Sequence, residues 1–300
     1  MSIDKLIAGL KEGEKKSLAR SISLVENDAE GAQEILETLQ KNNVPVVGVT
    51  GPPGAGKSTL INAMVSQLVE NGKKVGVLCI DPTSPFNYGS LLADRLRMGD
   101  HFNNESVFIR SLATRGSLGG LSAKTVEITD VMRSAGFDMV IVETVGVGQS
   151  EVEIAGLADT TVLVLVPESG DEIQAIKSGV MEIGDLFVIN KSEREGAERF
   201  TKNIEAMLHQ REERDWKPKV LKAIATQGEG VPEILAAIAE HGSSTSNDKK
   251  SILLAERAFQ LIQHRKMAKI DKNDLKNQIE AEMIREDFNF YTFLNSLTNR

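Results

Sequence analysis

Eight consecutive residues, Gly51 to Ser58, have the types and spacing that hold phosphate groups in proteins. They read Gly-Pro-Pro-Gly-Ala-Gly-Lys-Ser, directly after the apolar run 44–49 and before a stretch with helical periodicity. Glycines permit positive φ and a close approach of backbone amides to a β-phosphate at a helix N-terminus. Lys57 should reach the β- and γ-phosphates, and the Ser58 hydroxyl should bind Mg²⁺. The predicted phosphate loop comprises Gly51, Pro52, Pro53, Gly54, Ala55, Gly56, Lys57, Ser58 and Thr59.

Acidic residues near the ends of predicted strands could complete a magnesium site. Asp81 ends the second apolar run, Glu143 ends a later one, and Asp94 lies between them. The carboxyl ends of parallel strands face the ligand side of a sheet, where Mg²⁺ requires oxygen ligands. We therefore predict that Ser58, Asp81, Asp94 and Glu143 bind the metal. Asp94 could instead pair with a neighbouring arginine, and Glu143 could cap the helix that follows it.

The residues after Glu143 have the composition of a segment that senses the γ-phosphate. Gly146 follows the carboxylate by three positions. Its amide could contact the γ-phosphate, and its peptide could rotate after hydrolysis. Gln149 could orient the attacking water, as a glutamine does in several P-loop GTPases. Lys57, Glu143 and Gln149 are therefore the predicted catalytic residues.

Two later strand ends carry residues suited to reading a purine base. Asn190, Lys191 and Glu193 follow one predicted strand, and Ala225 and Thr226 follow the next. In GTPases the first element reads Asn-Lys-x-Asp, and its carboxylate accepts from guanine N1–H and the 2-amino group. Adenine offers an acceptor there, so a matched contact favours guanine by about 1 to 3 kcal/mol. The sequence predicts GTP and GDP as ligands, with selectivity that the longer glutamate could relax.

Short apolar runs alternate with helical stretches through the middle of the chain. This alternation predicts a parallel sheet with right-handed crossovers. The predicted fold class is α/β: a P-loop nucleotide hydrolase with a mainly parallel central sheet flanked by helices, plus N-terminal and C-terminal helical extensions. The expected boundaries are 1–43 for the first extension, 44–241 for the P-loop domain and 242–300 for a linker with the second extension. The last helices could close the domain or pair with a second subunit. The apolar runs are 44–49, 75–80, 139–142, 161–166, 186–189 and 219–225.

Composition restricts the class of partner and the compartment. The 300 residues are 41% hydrophobic, which suffices for a buried core. Acidic residues outnumber basic ones by 43 to 35, which disfavours nucleic acid as a partner. The single cysteine, Cys79, lies in an apolar run and is expected to pack in the core. No stretch reaches the length of a membrane span and no leader is recognised, so a soluble cytoplasmic protein is expected.

Further blocks are more specific than a generic P-loop protein requires. They are Arg110 to Gly120 (RSLATRGSLGG), Glu143 to Glu151 (ETVGVGQSE), Gly170 to Gly179 (GDEIQAIKSG) and DPTSP at 81–85. Together with the phosphate loop, these blocks resemble the methylmalonyl-CoA mutase associated GTPases of the MeaB or ArgK type. The resemblance covers roughly residues 44–240.

This resemblance implies a GTPase that acts as a chaperone of an adenosylcobalamin-dependent acyl-CoA mutase, with methylmalonyl-CoA mutase as the expected partner. The protein would couple its nucleotide state to cofactor loading and to protection of the mutase. The family's C-terminal extension commonly builds a homodimer. The block at 170–179 corresponds to an additional switch that relays nucleotide state to the partner.

Several positions depart from the family pattern. The chain has Tyr88 and Ala93 where members usually carry glycine, Arg95 in place of lysine, and Glu193 in place of aspartate. The first three positions concern the first switch, and the last concerns nucleotide selectivity.

Other roles and function classes remain open on the residues alone. Arg110 and Arg115 could stabilise charge on a transferring phosphoryl group or bind a partner. A P-loop kinase linked to amino-acid transport is one alternative, although no dedicated base is visible. A metallochaperone GTPase is another, disfavoured because the histidines are scattered. A nucleotide-bound scaffold that does not hydrolyse GTP is the third.

Overall fold

The computed structural model describes most of the chain. The described ranges are 2–40, 43–81, 99–101, 103–113, 123–144, 150–167, 181–209 and 216–244, then 251, 254–255, 258–259, 261–263, 266–267, 270–285 and 287–298. The chain divides into two compact units, Met1–Leu254 and Ala255–Arg300. Each unit is described by itself below.

A parallel sheet forms the centre of the first unit. Its strand order is β3-β2-β4-β1-β5-β6-β7, and every neighbouring pair is parallel. This order confirms the predicted mainly parallel sheet. Consecutive parallel strands need crossover connections, and helices supply several of them. The strands are β1 (Val46–Thr50), β2 (Val75–Asp81), β3 (Val107–Ala113), β4 (Met139–Glu143), β5 (Thr160–Leu165), β6 (Leu186–Asn190) and β7 (Lys219–Ala223).

Strand β3 was not among the predicted strands. Its sequence, VFIRSLA, places Arg110 and Ser111 in the middle of the apolar pattern. It lies at one edge of the sheet and pairs only with β2 among the described strands. A strand with one neighbour can carry polar side chains that a central strand would not tolerate. Arg110 and Ser111 interrupt its apolar pattern, which explains why hydrophobicity alone did not reveal it.

Helices cover both faces of the sheet. Helix α4 (Lys57–Glu70) packs with α8 (Val231–Ser244) on one face. The core beneath them includes Val49, Val77 and Ile141. Helix α7 contributes Phe200 and Ile204 to a second core cluster on β5 and β6. A short 3₁₀ helix spans Gly99–His101, and a single helical turn spans Met181–Ile183. The longer helices of this unit are α1 (Ile3–Lys11), α2 (Lys15–Glu26), α3 (Ala32–Glu37), α4 (Lys57–Glu70), α5 (Ala123–Arg133), α6 (Ser150–Leu157), α7 (Ala197–His209) and α8 (Val231–Ser244).

The N-terminal helices belong to the same compact unit as the sheet. Helix α2 packs against α5 and buries Leu18, Ile22 and Val25. Its last residue, Glu26, accepts a hydrogen bond from Arg110 Nη2 of β3 at 2.6 Å. One end of the Arg110 guanidinium is thus engaged within the chain. Arg115 lies outside the described residues.

A second charged group joins the turn after α2 to α5. Lys124 Nζ donates to Glu127 Oε2 at 2.7 Å and also contacts Asp28. Burial disfavours the charged form of Lys124, but its hydrogen bonds to these two carboxylates outweigh that effect and raise its pKa. The first helices are therefore held to the rest of the unit by charge as well as by packing.

A buried polar cluster lies at the edge of the sheet where the strands begin, opposite the edge that carries the phosphate loop. His241, at 1% exposure, has its Nδ1 2.8 Å from Thr160 Oγ1 and its Nε2 3.3 Å from Asp185 Oδ1. Trp216 Nε1 donates to Asp185 O at 2.8 Å, and its ring lies 4.9 Å from the imidazole. These contacts fix the end of α8 to the starts of β5 and β6.

The second unit is helical where it is described. It contains α9 (Lys272–Glu282), which Asp271 caps by accepting from the amides of Asn273 and Asp274, and α10 (Phe290–Thr298). The large exposed apolar side chains of the described chain all lie at or beyond residue 254, among them Phe259, Ile262, Met267, Ile270, Met283, Ile284, Phe290, Tyr291 and Leu294. None of the helices in the described ranges combines the length and apolar character needed to cross a membrane.

Candidate nucleotide-binding site

The predicted phosphate loop connects β1 to α4, which begins at Lys57. Gly51, Gly54 and Gly56 have φ values of 138°, 79° and 85°. A Cβ on Gly51 would lie 2.1 Å from the carbonyl oxygen of Val164, and one on Gly56 would lie 2.4 Å from Asn190 Nδ2. A side chain at either position would therefore displace a neighbouring strand end. The loop adopts its shape because glycine occupies these positions.

Lys57 places its ammonium group inside the loop. The residue is 6% exposed, and Nζ donates to Gly51 O at 2.7 Å and to Pro52 O at 3.1 Å. A buried ammonium is stable only where oxygen atoms surround it. The cation is therefore held at the start of α4, where backbone amides and the helix dipole also favour a bound anion.

Ser58 and Glu143 meet at the start of α4. Ser58 Oγ donates to Glu143 Oε1 at 2.7 Å, and both residues are buried. The register of β1 with β4 pairs Val49 with Glu143, which brings the carboxylate beside the loop. Hydroxyl and carboxylate oxygens are the ligands that Mg²⁺ prefers. The two residues therefore have the oxygen atoms that a magnesium ion beside the predicted phosphate loop would require.

The remaining predicted metal and switch residues are less fully described. Asp81 is the last residue of β2, aligned with Ala113, and it lies two positions beyond Cys79, the register partner of Glu143. Its backbone therefore lies at the same edge of the sheet as Glu143, while its side chain lies outside the described residues. Asp94, Gly146 and Gln149 also lie outside them.

Asn190 connects the two halves of the site. Its Nδ2 donates to Ala55 O of the phosphate loop at 2.9 Å, and its Oδ1 accepts from the amide of Ala225 at 3.2 Å. Lys191 has a φ of 55°, and its Nζ donates to Gly54 O at 2.9 Å. These contacts fix the predicted base-reading residues relative to the predicted phosphate-binding residues.

The turn after β7 contains Ala225, whose amide donates to Asn190, and it therefore lies beside the Asn190–Lys191 element. The amide of Ile224 donates to Glu229 O at 3.1 Å and closes the turn. Gly230 has a φ of 79°, and a Cβ there would lie 2.1 Å from Lys222 O. Thr226 in this turn and Glu193 in the preceding one are both exposed. Both carry side chains that are accessible to a ligand.

The sequence did not identify two threonines at the centre of the site. Thr144 Oγ1 donates to Thr50 Oγ1 at 2.8 Å, and both residues are buried. Thr50 directly precedes Gly51, and Thr144 directly follows Glu143. Their position next to two motif residues was the available signal. Threonine is common in strands, however, so its type alone does not distinguish a functional residue.

The described side chains do not form a transition-metal site. Within the described ranges, no three His, Cys, Asp or Glu residues come together as ligands for a metal ion. Cys79 is buried in β2, as expected of a cysteine that packs in the core.

Comparisons with known proteins agree with this architecture. The family model described as Methylmalonyl Co-A mutase-associated GTPase MeaB matches residues 18–283. A protein of Pyrococcus abyssi is 49% identical over 245 residues, which cover 80% of this chain and 76% of that protein. GTPase ArgK of Escherichia coli is 36% identical over 301 aligned positions, covering 95% and 87%. A crystal structure described as LAO/AO transport system kinase matches with a TM-score of 0.70 and 27% identity, over 99% of this chain and 96% of that one.

The family match spans the phosphate loop, the Asn190–Lys191 element and the whole sheet. The solved structure extends the agreement to nearly the full chain. The resemblance inferred from the motifs is therefore confirmed. This chain belongs to the MeaB family of methylmalonyl-CoA mutase-associated GTPases, and it is a GTP hydrolase.

Proposed function

We propose that this GTPase is a chaperone of an adenosylcobalamin-dependent acyl-CoA mutase, with methylmalonyl-CoA mutase as its partner. Its nucleotide state would control loading of the cofactor and protection of the mutase. The match of residues 18–283 to a family described as mutase-associated carries this proposal. The contacts of Asn190 support it, because they join the predicted phosphate loop to the turn that carries Ala225, as a nucleotide site with two halves would require.

Hydrolysis by such a site rests on positioning and charge, because phosphoryl transfer to water needs no covalent enzyme intermediate. Loop amides and Lys57 would surround the terminal phosphates. Ser58 and Glu143, with Asp81 and Asp94, would hold Mg²⁺, which neutralises charge on the phosphate oxygens. Gly146 and Gln149 would contact the γ-phosphate and the attacking water.

Guanine would bind between the two turns that Asn190 joins. The Lys191 stem would pack on the base, and the Glu193 carboxylate would accept from N1–H and the 2-amino group. Ala225 and Thr226 would border the base on the other side. The contact of Lys191 with Gly54 O supports this arrangement, because it brings the lysine stem alongside the phosphate loop.

The second unit is the proposed dimerisation arm. Its large exposed apolar side chains include Phe259, Met283 and Tyr291. Apolar surface concentrated in one segment marks an interaction site more often than scattered apolar residues do. We infer that a second copy of the chain covers this surface and forms a homodimer.

Association with the mutase should depend on the bound nucleotide, because a partner shifts only those states that it binds differentially. The test mixes purified chain with methylmalonyl-CoA mutase and measures binding with a non-hydrolysable GTP analogue, with GDP and without nucleotide. Unequal affinities are expected. Lys57→Ala should lose the dependence, whereas Lys202→Ala, an exposed lysine of α7, should keep it. Equal affinity of the wild-type chain in all three conditions would refute nucleotide control.

A kinase is the second candidate function, because the matching solved structure is described as a transport system kinase. Transfer to an acceptor instead of water would put the γ-phosphate on a protein or an amino acid. GTP labelled at the γ-phosphate separates the two functions. Label recovered as free phosphate supports the hydrolase, and label recovered on an acceptor supports the kinase.

A further inference from the structure

The buried hydroxyl pair of Thr50 and Thr144 lies between the phosphate loop and the strand that carries Glu143. We propose that this pair is a positioning device: it holds the Glu143 carboxylate against Ser58 and thereby sets the affinity for magnesium-bound nucleotide and the rate of hydrolysis. The proposal rests on the proposed magnesium role of Glu143. It concerns two residues that act through their neighbours and do not themselves touch the nucleotide.

The connection between β1 and β4 continues beyond their last paired residues. The ladder ends with Val49 opposite Glu143. One residue further, the Thr144 amide donates to Val49 O at 3.1 Å, and the Thr144 hydroxyl donates to Thr50 Oγ1 at 2.8 Å. The side-chain bond therefore fixes the two chains at the point where one becomes the phosphate loop and the other leaves the sheet.

The same point carries the proposed magnesium ligands. The Ser58–Glu143 hydrogen bond joins α4 to β4 at 2.7 Å, and Glu143 directly precedes Thr144 in the chain. Threonine has a restricted χ1, so a bond to its hydroxyl constrains the backbone of its own residue. Movement of Thr144 would move Glu143, which is its covalent neighbour, and movement of Thr50 would move Gly51.

Packing alone does not require hydroxyl groups here. Thr50 is 0% exposed and Thr144 is 1% exposed, and their surroundings in β1 and β4 are mostly valines and isoleucine. Valine has nearly the same shape as threonine and would fill these positions without burying a polar atom. Burial of a hydroxyl is tolerated where a hydrogen bond compensates for lost water. The pair therefore adds direction and rigidity to the packing.

The test uses the full-length chain and a fluorescent GDP analogue. The dissociation constant is measured with Mg²⁺ and with excess chelator. The value in chelator divided by the value with Mg²⁺, called the magnesium ratio below, reports how much the ion strengthens binding. T144V should reduce this ratio about threefold to tenfold, the range that loss of one hydrogen bond gives. Binding in chelator should stay unchanged. In GTP hydrolysis, kcat should fall and KM for magnesium-GTP should rise, because KM follows the dissociation constant when hydrolysis is slow, and T144S should restore all three measurements.

A matched control separates positioning from stability. Thr129 is fully buried in α5, and its hydroxyl donates to Thr125 O of the same helix at 2.7 Å. T129V should change the melting temperature and leave the magnesium ratio at the wild-type value. The double variant T50V/T144V removes both hydroxyls and should regain stability relative to the single variants. Its magnesium ratio should stay low, and it serves as the test if T144V does not fold.

The test distinguishes failure of the positioning role from failure of the proposed magnesium site. A wild-type ratio in folded T144V and in the double variant would overturn the positioning role and leave only a structural one. A wild-type chain that shows no effect of Mg²⁺ on nucleotide binding would instead contradict the proposed magnesium site itself.

Discussion

The phosphate loop holds a buried positive charge, the ammonium group of Lys57. Its ammonium is held by two carbonyl oxygens of the loop at the N-terminus of α4. Replacement by alanine would remove the positive charge without altering the loop glycines that set its shape. The substitution should therefore lower the rate of hydrolysis much more than the stability of the fold.

Lys57→Ala is expected to reduce GTP hydrolysis to the background rate, because the charge on the transferring phosphoryl group would lose the lysine that stabilises it. The measurement is release of phosphate from GTP, with circular dichroism as the check on folding. Lys202→Ala is the control and should retain normal hydrolysis. A folded Lys57→Ala protein with wild-type turnover would show that the loop is not the catalytic site.

Glu193→Asp tests the base-reading role. The shorter carboxylate should place its oxygens closer to the usual guanine contact and increase the preference for GTP over ATP by about tenfold, within the range of one bidentate contact. Competition of GTP and ATP against a fluorescent guanine nucleotide measures this preference. Glu195→Asp, an equally exposed glutamate two positions later, should leave it unchanged. If Glu193→Asp and Glu195→Asp both kept the wild-type preference for GTP over ATP, Glu193 would not contact the base.

At the residue scale, the sequence was most informative where a local motif encodes the contact. The loop glycines, Lys57, Ser58 and the Asn190–Lys191 pair were identified because their spacing follows from the shape of one turn. The Thr50–Thr144 bond joins residues that are 94 positions apart, and the Arg110–Glu26 bond joins residues that are 84 apart. No local pattern encodes contacts of that kind, because they depend on which strands and helices become neighbours.

At the scale of elements, the contact between α2 and β3 is an ion pair between Glu26 and Arg110. An edge strand with polar residues needs a partner for its polar groups. Helix α2 supplies Glu26 to Arg110, whose side chain is 27% exposed against 14% for the glutamate. The ion pair is therefore shielded enough to contribute to stability.

Glu26→Gln is expected to lower the free energy of unfolding by about 1 to 3 kcal/mol, because a partly buried guanidinium would lose its charged acceptor. Urea denaturation followed by fluorescence or circular dichroism gives this value. The comparison variant is Asp28→Asn, whose side chain is 71% exposed in its contact with Lys124. It should cost less than about 1 kcal/mol, as exposed ion pairs do. Similar losses in the two variants would contradict the special role of the Arg110 pair.

The strands themselves were largely predictable, and the exception has a physical cause. The β1, β2, β4, β5 and β6 segments are apolar because both of their faces are covered. The two edge strands, β3 and β7, have one neighbour each and mixed compositions, VFIRSLA and KVLKA, so their sequences give weaker signals. The N-terminal helices were predicted as an extension from their amphipathic spacing. Their contact with β3 and α5 could not be predicted, because helical periodicity identifies an apolar face and not what that face contacts.

At the scale of the whole molecule, the division at residue 254 separates two kinds of surface. The unit Met1–Leu254 buries its apolar side chains, and the unit Ala255–Arg300 exposes many of them. The proposed roles follow this division: the first unit binds and hydrolyses nucleotide, and the second associates with another subunit.

A chain that ends at Leu254 is expected to bind GDP with unchanged affinity and to be monomeric, whereas the full-length chain should be dimeric. Light scattering after size-exclusion chromatography measures the mass, and a fluorescent GDP analogue measures the affinity. A full-length variant with Tyr291→Ser and Phe290→Ser should also dissociate while keeping its length. A dimeric truncated chain would place the subunit interface in the first unit.

Helix α8 gives the base side of the site a fixed frame. It starts at Val231, directly after the turn that contains Ala225, and its 14 residues extend about 21 Å toward the buried His241 cluster. Both ends are thus tied to strands. We therefore expect the proposed purine contacts to persist while the proposed phosphate contacts are broken, so that GDP leaves phosphates first and its replacement enters base first. Guanosine, which has no phosphates, should then displace fluorescent GDP in chelator, and failure to compete where GDP succeeds would reverse that order.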